Sequence, residues 1–461
     1  MTVFHNIPYD RLTVGMEAHA DRLCVADDLY VFAHASGNLN PLHIPDADGD
    51  GDGLPEAVAP SAWVGALISA VLGNQLPGPG TMYESQTLNF VGRAAEGDQL
   101  RIHVRVTEKM AGRRVRLDTA VTRDDGTPIV TGEAVVIAPT HEAMFDAQGV
   151  PGLGVYRHRH FDALLARAEP LDPIRTAVVA PEEPHALAGA LAGYDHTIIL
   201  PILVGDPARI AAAALELGRD LSAFEIVAAT SHTDAAARAV ALVRCGQAQA
   251  LMKGHLHTDV LLSAVLKRDV GLRTDRRLSH CFVFDVPGLP HLLTVTDAAI
   301  NIAPDLETKV DIVQNAIDLM RALGVDQPKA GILSAVETVN ARIPSTLDAA
   351  ALSKMAERGQ ITGGLVDGPL ALDNAMDVEA ARTKGITSMV AGRADILVVP
   401  NLEAGNMLAK ELTFAAHAEG GGVVLGATCP IILTSRADGE KARLASCAIA
   451  ALAAFGGRAR A

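Results

Sequence analysis

The apolar positions of this chain change their period once, and the change divides it. In the first part, helical spacing covers residues 26–35 and then 61–76, where Trp63, Leu67, Ile68 and Val71 share one face. Runs with a period of two follow at 82–90, 99–108, 115–122 and 129–137, and they predict antiparallel strands. Asp124-Asp125-Gly126 supplies a hairpin turn between the last two. A long helix followed by an antiparallel sheet predicts an α+β domain over 1–140.

From residue 174 the pattern is different. Short apolar runs predict strands at 176–180, 198–204, 224–228, 250–252, 281–285, 292–296, 329–334, 364–366, 396–399, 423–425 and 431–433. Helical stretches lie between them, at 207–217, 235–245, 308–323, 346–357 and 440–455. This alternation predicts helix-covered α/β/α layers with parallel sheets. The strands are too many for one ordinary sheet. Two lobes with an interlobe cleft are therefore expected, with ligands at the carboxyl ends of strands. Between the two parts, 141–168 reads as a linker, with Gly149-Val150-Pro151-Gly152, a basic run Arg157-His158-Arg159-His160 and a composition shift near residue 155. The two histidines read as solvated rather than as metal ligands.

Composition narrows the function classes. The chain has 461 residues, 49% of them hydrophobic and 20% charged, so more than one globular domain is expected. A formal charge of -15 argues against nucleic acid or an anionic membrane as partner. It leaves room for a phosphate ligand in a local basic pocket. The cysteines, Cys24, Cys245, Cys281, Cys429 and Cys447, are odd in number and scattered, which fits a reducing cytoplasm better than a disulfide framework or a zinc site. The amino-terminal stretch shows no basic-then-apolar signal peptide, and 444–455 is shorter than the ~20 residues that span a bilayer.

Candidate chemistry gathers in four loops that follow predicted strands. Lys253-Gly254, with His255, His257 and Thr258, brings a cation, a flexible glycine and a hydroxyl. Asp367-Gly368-Pro369, with Asp373 and Asn374, brings two carboxylates. Asn401-Leu402-Glu403-Ala404-Gly405-Asn406 precedes a helix carrying Lys410. Thr434-Ser435-Arg436 joins a short apolar run to the last predicted helix. A helix start offers free N–H groups and the positive end of its dipole, and Arg436 adds a fork of donors that matches phosphate oxygens. Together these loops point to an anionic substrate, with carboxylates to orient it or take a proton. Asp297, Asn301, Ser345 and Thr346 are further candidates for the cleft, and Ser345 also reads as a helix N-cap.

The segments LMKGHLHT, LSHCFVFDVP, TDAAINIAP, DGPLALDNA, ADILVVPNLEAGNMLAK and ILTSRAD occur in an order that resembles the phosphate acetyltransferase and phosphate butyryltransferase family. DGPLALDNA and PNLEAGN look closer to the butyryl branch. The resemblance implies an acyltransferase over 169–461, with one lobe formed by 169–274 plus 421–461 and the other by 275–420. It implies acyl transfer between coenzyme A and phosphate as substrates, with no tightly bound cofactor and no metal. By resemblance Arg436 holds the phosphoryl group, Ser435 steadies the oxyanion, and Lys253, Thr258, Thr434, Asn401, Glu403, Gly405, Asn406 and Lys410 line the substrate site. The family's thiol base lies a little beyond the arginine. Here ADGEKAR offers Asp438 and Glu440, and Asp367 or Asp373 are alternatives.

The first part resembles the MaoC-type hot-dog fold of (R)-specific enoyl-CoA hydratases, through FAHASGNLNPLH at 32–43 and LPGPGT at 76–81. The family's aspartate is replaced by Asn38, while its histidine corresponds to His43. Its His-Gly step is replaced by Ala59-Pro60-Ser61. An amide cannot take a proton as a carboxylate does, so impaired hydration is expected. The alternatives are an active hydratase, alone or as a second activity, and a coenzyme A-ligand scaffold without turnover. Both resemblances imply a homodimer or higher homo-oligomer. Asp46 to Gly53, DADGDGDG, begins like a calcium loop but has Ala57 at the twelfth position, and reads as a mobile acidic loop.

Overall fold

The computed structural model describes residues 3–433 and 439–458, and the chain divides into two units, Met1–Val155 and Tyr156–Ala461. Thr434, Ser435, Arg436 and Asp438 therefore lie outside the described residues.

The first unit contains β1 (Val3–His5), β2 (Glu17–Leu23), α1 (Ala26–Ser36), α2 (Ser61–Asn74), β3 (Met82–Phe90), β4 (Gln99–Met110), β5 (Arg114–Arg123), β6 (Pro128–Ile137) and β7 (Met144–Asp146). Five strands form an antiparallel sheet in the order β2-β4-β5-β6-β3, and β1 pairs with β7 as a separate ribbon. Alternation sets the buried face: Leu100, Ile102, Val104 and Val106 of β4 and Val115, Leu117 and Val121 of β5 share a core with Trp63, Val64, Ile68, Val71 and Leu72 of α2. Each such side chain contributes roughly 1.5–3 kcal/mol by leaving water. The expected strands and helices are present. The edge strand β2 was not expected, because EAHADRL has no strong apolar residue before Leu23. The ladder to β4, from Glu17 opposite Arg105 to Leu23 opposite Gln99, holds it.

The second unit contains α3 (Arg159–Ala168), β8 (Ile174–Val179), α4 (Pro184–Asp195), β9 (Ile199–Gly205), α5 (Pro207–Glu216), β10 (Glu225–Ala228), α6 (His232–Arg244), β11 (Ala250–Lys253), α7 (Thr258–Val265), β12 (Ser279–Asp285), β13 (Leu293–Thr296), α8 (Leu306–Ala322), β14 (Lys329–Leu333), α9 (Pro344–Glu357), β15 (Leu365–Leu370), α10 (Leu372–Met376), α11 (Val378–Thr383), β16 (Ile396–Val398), α12 (Leu402–Phe414), β17 (Glu419–Leu425), β18 (Ile431–Ile432) and α13 (Glu440–Arg458). Every strand expected from the apolar runs appears. The tail of the expected linker is the helix α3, which buries Phe161 and Leu164. His158 and His160 are tied by Nε2 to the carbonyls of His417 and Leu289, so they are anchored rather than solvated.

The strands are joined in one mixed sheet, not in separate parallel ones. Its order is β10-β9-β8-β11-β18-β17-β12-β13-β16-β14-β15. β10, β9, β8, β11 and β18 are mutually parallel, as are β13, β16, β14 and β15. Between these groups β18–β17, β17–β12 and β12–β13 are antiparallel. Following the pairings across the sheet, the two parallel groups run in opposite directions. α13 packs its Leu444, Ala448, Ile449 and Leu452 into the same core as Cys281 and Val283 of β12 and Val423 of β17. Among the described residues, no helix is long and apolar enough to cross a membrane.

Candidate functional site

Strand polarity decides where each candidate loop emerges. Lys253 ends β11 and Leu433 follows β18, so both leave from one edge of the sheet. Asp297, Asp367 and Asn401 belong to or follow strands of the opposite polarity. Four loops on one common edge is therefore not the arrangement. The reversal at β17, β12 and β13 is what joins the two sets. A change of strand order or direction is where open α/β sheets make a crevice.

Asp297 organises the reversal. It is 2% exposed. Its Oδ1 accepts the N–H groups of Ala299 at 3.0 Å and Ile300 at 3.1 Å, and its Oδ2 accepts the Asn301 N–H at 3.0 Å and the Asn301 Nδ2 at 2.6 Å. These donors satisfy both oxygens of a side chain that is buried away from water. Asn301 Nδ2 also donates to Leu278 O at 2.8 Å, which ties the turn to the start of β12. On its other side the turn meets the helix that follows β16. Leu402 N donates to Ile302 O at 3.0 Å, and Asn406 Nδ2 reaches Ala298 O at 3.5 Å. Gly405 is buried where a Cβ would lie 3.0 Å from the Ala298 Cα. Asn401 caps α12 by accepting the Ala404 N–H at 3.0 Å, while Glu403 and Lys410 are exposed.

Next to Asp297 lies His280, a residue that sequence reasoning passed over inside the segment LSHCFVFDVP. It is 1% exposed, and its ring sits 4.2 Å from that of Phe282. Its Nδ1 has no partner among the described residues, and a Cβ on Gly422 would lie 2.9 Å from its Nε2. Burial pushes its pKa down to about 4, against the opposing pull of the Asp297 charge and the Leu433 carbonyl. The available signal was the polar pair Ser279-His280 opening a strand whose middle is apolar, the kind of position that is seldom buried without a reason.

The Lys253 loop is held more tightly than its glycine suggested. Lys253 is half-buried, with Nζ 3.4 Å from Gly254 O. A Cβ on Gly254 would lie 2.4 Å from Val179 O and 2.5 Å from Ala180 O, so glycine serves close approach there rather than flexibility. His255 pairs with Glu183 at 2.9 Å, and His257 and Thr258 start α7. Ser345 lies in the first turn of α9, with its Oγ 2.8 Å from Ser334 Oγ. Ile343, not Ser345, is at the N-cap. Thr346 is fully buried and donates to Asn340 O and Ile343 O.

The two carboxylates of the β15 region differ. Asp367 is half-buried and meets neutral donors, the Gly368 N–H at 2.8 Å and Ser353 Oγ at 3.5 Å. Asp373 is exposed and paired with Lys384 Nζ at 3.1 Å. That hydrogen bond, helped by the Asn374 N–H, holds the Asp373 carboxyl below its usual range. Asn374 is buried, with Nδ2 3.3 Å from Glu337 Oε2.

The buried thiols are poor candidates for covalent chemistry. Cys24, Cys281, Cys429 and Cys447 are buried, and burial pushes each thiol up to about 12.

In the first unit, Asn38 is exposed in a turn, where its Oδ1 accepts the Asn40 N–H at 3.3 Å. His43 Nδ1 lies 2.8 Å from Val58 O. Ligand oxygens of Asp48, Asp50, Asp52 and Glu56 lie within 4.8 Å of one another. Asp46, the expected first member, bonds instead to the Tyr30 hydroxyl.

Comparison with known proteins gives four findings. The family model described as Phosphate acetyl/butaryl transferase matches residues 227–451. A phosphate acetyltransferase of Rhizobium meliloti is 59% identical over 292 residues, which is 63% of this chain and 92% of that protein. Among solved structures, a branched-chain phosphotransacylase from Enterococcus faecalis V583 is 32% identical, with a TM-score of 0.54 over 61% of this chain and 99% of that one. The R-hydratase PhaJ1 from Pseudomonas aeruginosa is 36% identical, with a TM-score of 0.32 over 33% of this chain and 99% of that one.

Proposed function

The chain belongs to the phosphate acetyl/butyryl transferase family, and on that premise we propose that it transfers a short acyl group reversibly between coenzyme A and inorganic phosphate. The observation that carries this is the long, high-identity match to a phosphate acetyltransferase. In the forward sense the coenzyme A thiolate attacks the carbonyl carbon of the acyl phosphate. A carbon–sulfur bond forms, the carbon–oxygen bond to phosphate breaks, and phosphate leaves with the electron pair. The thiol proton goes to a carboxylate. A free thiol has a pKa of about 8.5, so the base must compete for its proton.

In this reading Arg436 grips the phosphoryl oxygens and Ser435 steadies the oxyanion. Lys253, Thr258, Thr434, Asn401, Glu403, Gly405, Asn406 and Lys410 contribute to the substrate site. Of the two β15-region carboxylates, Asp367 is favoured as base. Asp373 is engaged by Lys384, which lowers its proton affinity, while no cation pairs with Asp367 among the described residues. Asp438 and Glu440 remain the alternatives next to Arg436 in sequence. The high thiol pKa values of the buried cysteines support direct transfer without a cysteinyl intermediate. We assign the acyltransferase to 169–461, with lobes 169–274 plus 421–461 and 275–420 meeting at the strand reversal. The preceding 1–140 domain is read as a hot-dog domain whose hydration chemistry is impaired by Asn38, linked through 141–168. A cytoplasmic setting is supported by five free cysteines, and a homodimer or higher homo-oligomer is expected.

Phosphate-dependent release of free coenzyme A from acetyl-CoA, repeated with butyryl-CoA, tests the reading. Arg436→Ala should lose about 100- to 1,000-fold in turnover with unchanged circular dichroism. Full turnover in that variant removes the site assignment. Water addition to crotonyl-CoA without phosphate-dependent release favours the hydratase instead.

A further inference from the structure

The last helix carries a buried cation that the acyl-transfer reading does not use. Arg443 lies in the opening turns of α13 and is 6% exposed. One arm of its guanidinium donates to the His185 carbonyl, and its Nε is buried without a partner among the described residues. Among those residues no carboxylate pairs with it. The acids that precede α4 are engaged elsewhere: Glu182 with Arg209 and His232, and Glu183 with His255. Glu440, the acid in the first turn of α13, is exposed. A buried charge without a counter-ion is strongly unfavourable, and an apolar residue of similar size would be the more stable choice.

The fold nevertheless makes room for this charge. α4 carries Gly189 in its interior, an unfavourable place for glycine. A Cβ there would lie 2.8 Å from the Arg443 Cδ, so the glycine lets the arginine stem cross the helix toward its first turn, where His185 lies. The same Cβ would lie 3.4 Å from the Met252 Cε, which puts the crossing beside the end of β11, one residue before Lys253. α4 starts behind Glu183 with no side-chain cap, so its positive dipole end adds to the guanidinium rather than cancelling it. α4 also follows β8, and β8 and β11 are the neighbours at which the strand order β10-β9-β8-β11-β18 turns back. Ligands of open α/β sheets sit at the carboxyl ends of such a pair. A helix start, a lysine and a guanidinium gathered there suit phosphate oxygens.

We propose that Arg443 is the buried half of a phosphate-binding subsite at the carboxyl ends of β8 and β11, holding a phosphate group of one of the two substrates, either the transferable phosphate or the diphosphate of coenzyme A. This rests on the acyl-transfer reading for its ligands. The subsite needs the charge, so a neutral donor at position 443 keeps the tie to His185 and loses the ligand.

The test uses the full chain, unfolded thermally in chloride, in inorganic phosphate and with coenzyme A at equal ionic strength, and assayed for KM toward phosphate and acetyl-CoA. Arg443→Gln keeps an N–H for the His185 carbonyl and removes the charge. In chloride its unfolding midpoint should equal or exceed that of wild type, because an unpaired buried charge has gone. One of the two ligands should raise the wild-type midpoint and leave that of the Gln variant unmoved. KM for the matching substrate should rise about 10- to 100-fold, with the other KM within about two-fold, and the substrate affected names the source of the phosphate group. Arg443→Met replaces the Gln variant if the latter does not fold. A folded Gln or Met variant that keeps both midpoint shifts and both KM values overturns the proposal. So does a failure of both variants to fold, which makes the arginine a structural tie. A wild type with no phosphate-dependent release of coenzyme A overturns the acyl-transfer reading, and the midpoint shifts, lost or kept in the Gln variant, then uphold or overturn the subsite by themselves.

Discussion

Two turns in this molecule each set an Asx residue and an imidazole close together in the sequence or in space, and they are built in opposite ways. In the first unit Asn38 is exposed, its amide oxygen accepts one long bond from Asn40 N, and His43 rests on the Val58 carbonyl. In the second unit Asp297 is buried with its carboxylate saturated by donors, and His280 is buried beside it. The first pair has few partners, one for each side chain. The second is fixed by packing and hydrogen bonds before any ligand arrives. Preorganisation of that kind is what positions groups for group transfer, and it is costly to disturb.

The sharpest way to break the contrast is Asp297→Asn. Each carboxylate oxygen faces two N–H donors. In either amide orientation an NH2 group would meet two donors, and the buried turn would lose its charge-assisted bonds. We expect a loss of about 4 kcal/mol in unfolding free energy, read from the urea midpoint, together with a fall in acyl transfer. A midpoint within experimental scatter of wild type would mean that the turn is not the fixed element described.

The next largest effect is on acid stability. The His280 pKa is held down at about 4 in the native state by burial, against 6.5 in the unfolded chain. Between these values the unfolded chain takes up a proton that the native state refuses. Stability is therefore full above pH 6.5 and falls as pH drops toward 4, by about 3 kcal/mol for this residue. His280→Gln has no such proton, so its loss of stability over that window should be shallower by close to one proton. Equal slopes for the two proteins, in urea titrations at several pH values, would count against a buried neutral ring. Asp297 opposes the downward shift, so removing its charge should steepen the wild-type loss.

A smaller effect separates the two candidate bases. Asp367→Asn should lower kcat about 100-fold if it takes the thiol proton, while Asp373→Asn should stay within about two-fold, because Lys384 already holds that carboxylate ionised. Turnover of the two variants under one set of conditions, with circular dichroism to confirm that each is folded, checks it. The reverse result would transfer the role to Asp373.

Much of this was legible in the sequence, and the gaps have physical causes. The apolar runs located every strand of the large sheet because a strand buried on both faces needs continuous apolar residues, as in Ile199–Gly205 and Leu293–Thr296. They carried no information on direction. The clue to the reversal lay in the connections. Residues 286–292, with Pro287-Gly288, and residues 426–430 are too few for a crossover helix, so the strands they join must run antiparallel. α3 was hidden by its basic start, and α4 by an Ala- and Gly-rich sequence with little contrast between faces. At the site, loop positions were readable while partners were not. The contacts of Asn374 with Glu337, and of Asn301 with Leu278, join residues 37 and 23 positions apart in the chain.

The smallest effect tests the other side of the comparison. Asn38→Asp restores a carboxylate at the turn of the first unit without changing its surroundings. The side chain is exposed, and its one acceptor bond to Asn40 N suits a carboxylate as well as an amide. Stability should therefore be unchanged. Hydration of crotonyl-CoA needs more than a restored proton acceptor, because water and the thioester must be held against it. Ala59-Pro60-Ser61 supplies no N–H at Pro60, which lacks one, directly before α2. We expect the variant to show no gain in absorbance-monitored hydration over wild type. A gain of about 100-fold would instead mean that Asn38 alone silenced the site, and that an exposed turn can be as well organised for chemistry as the buried one.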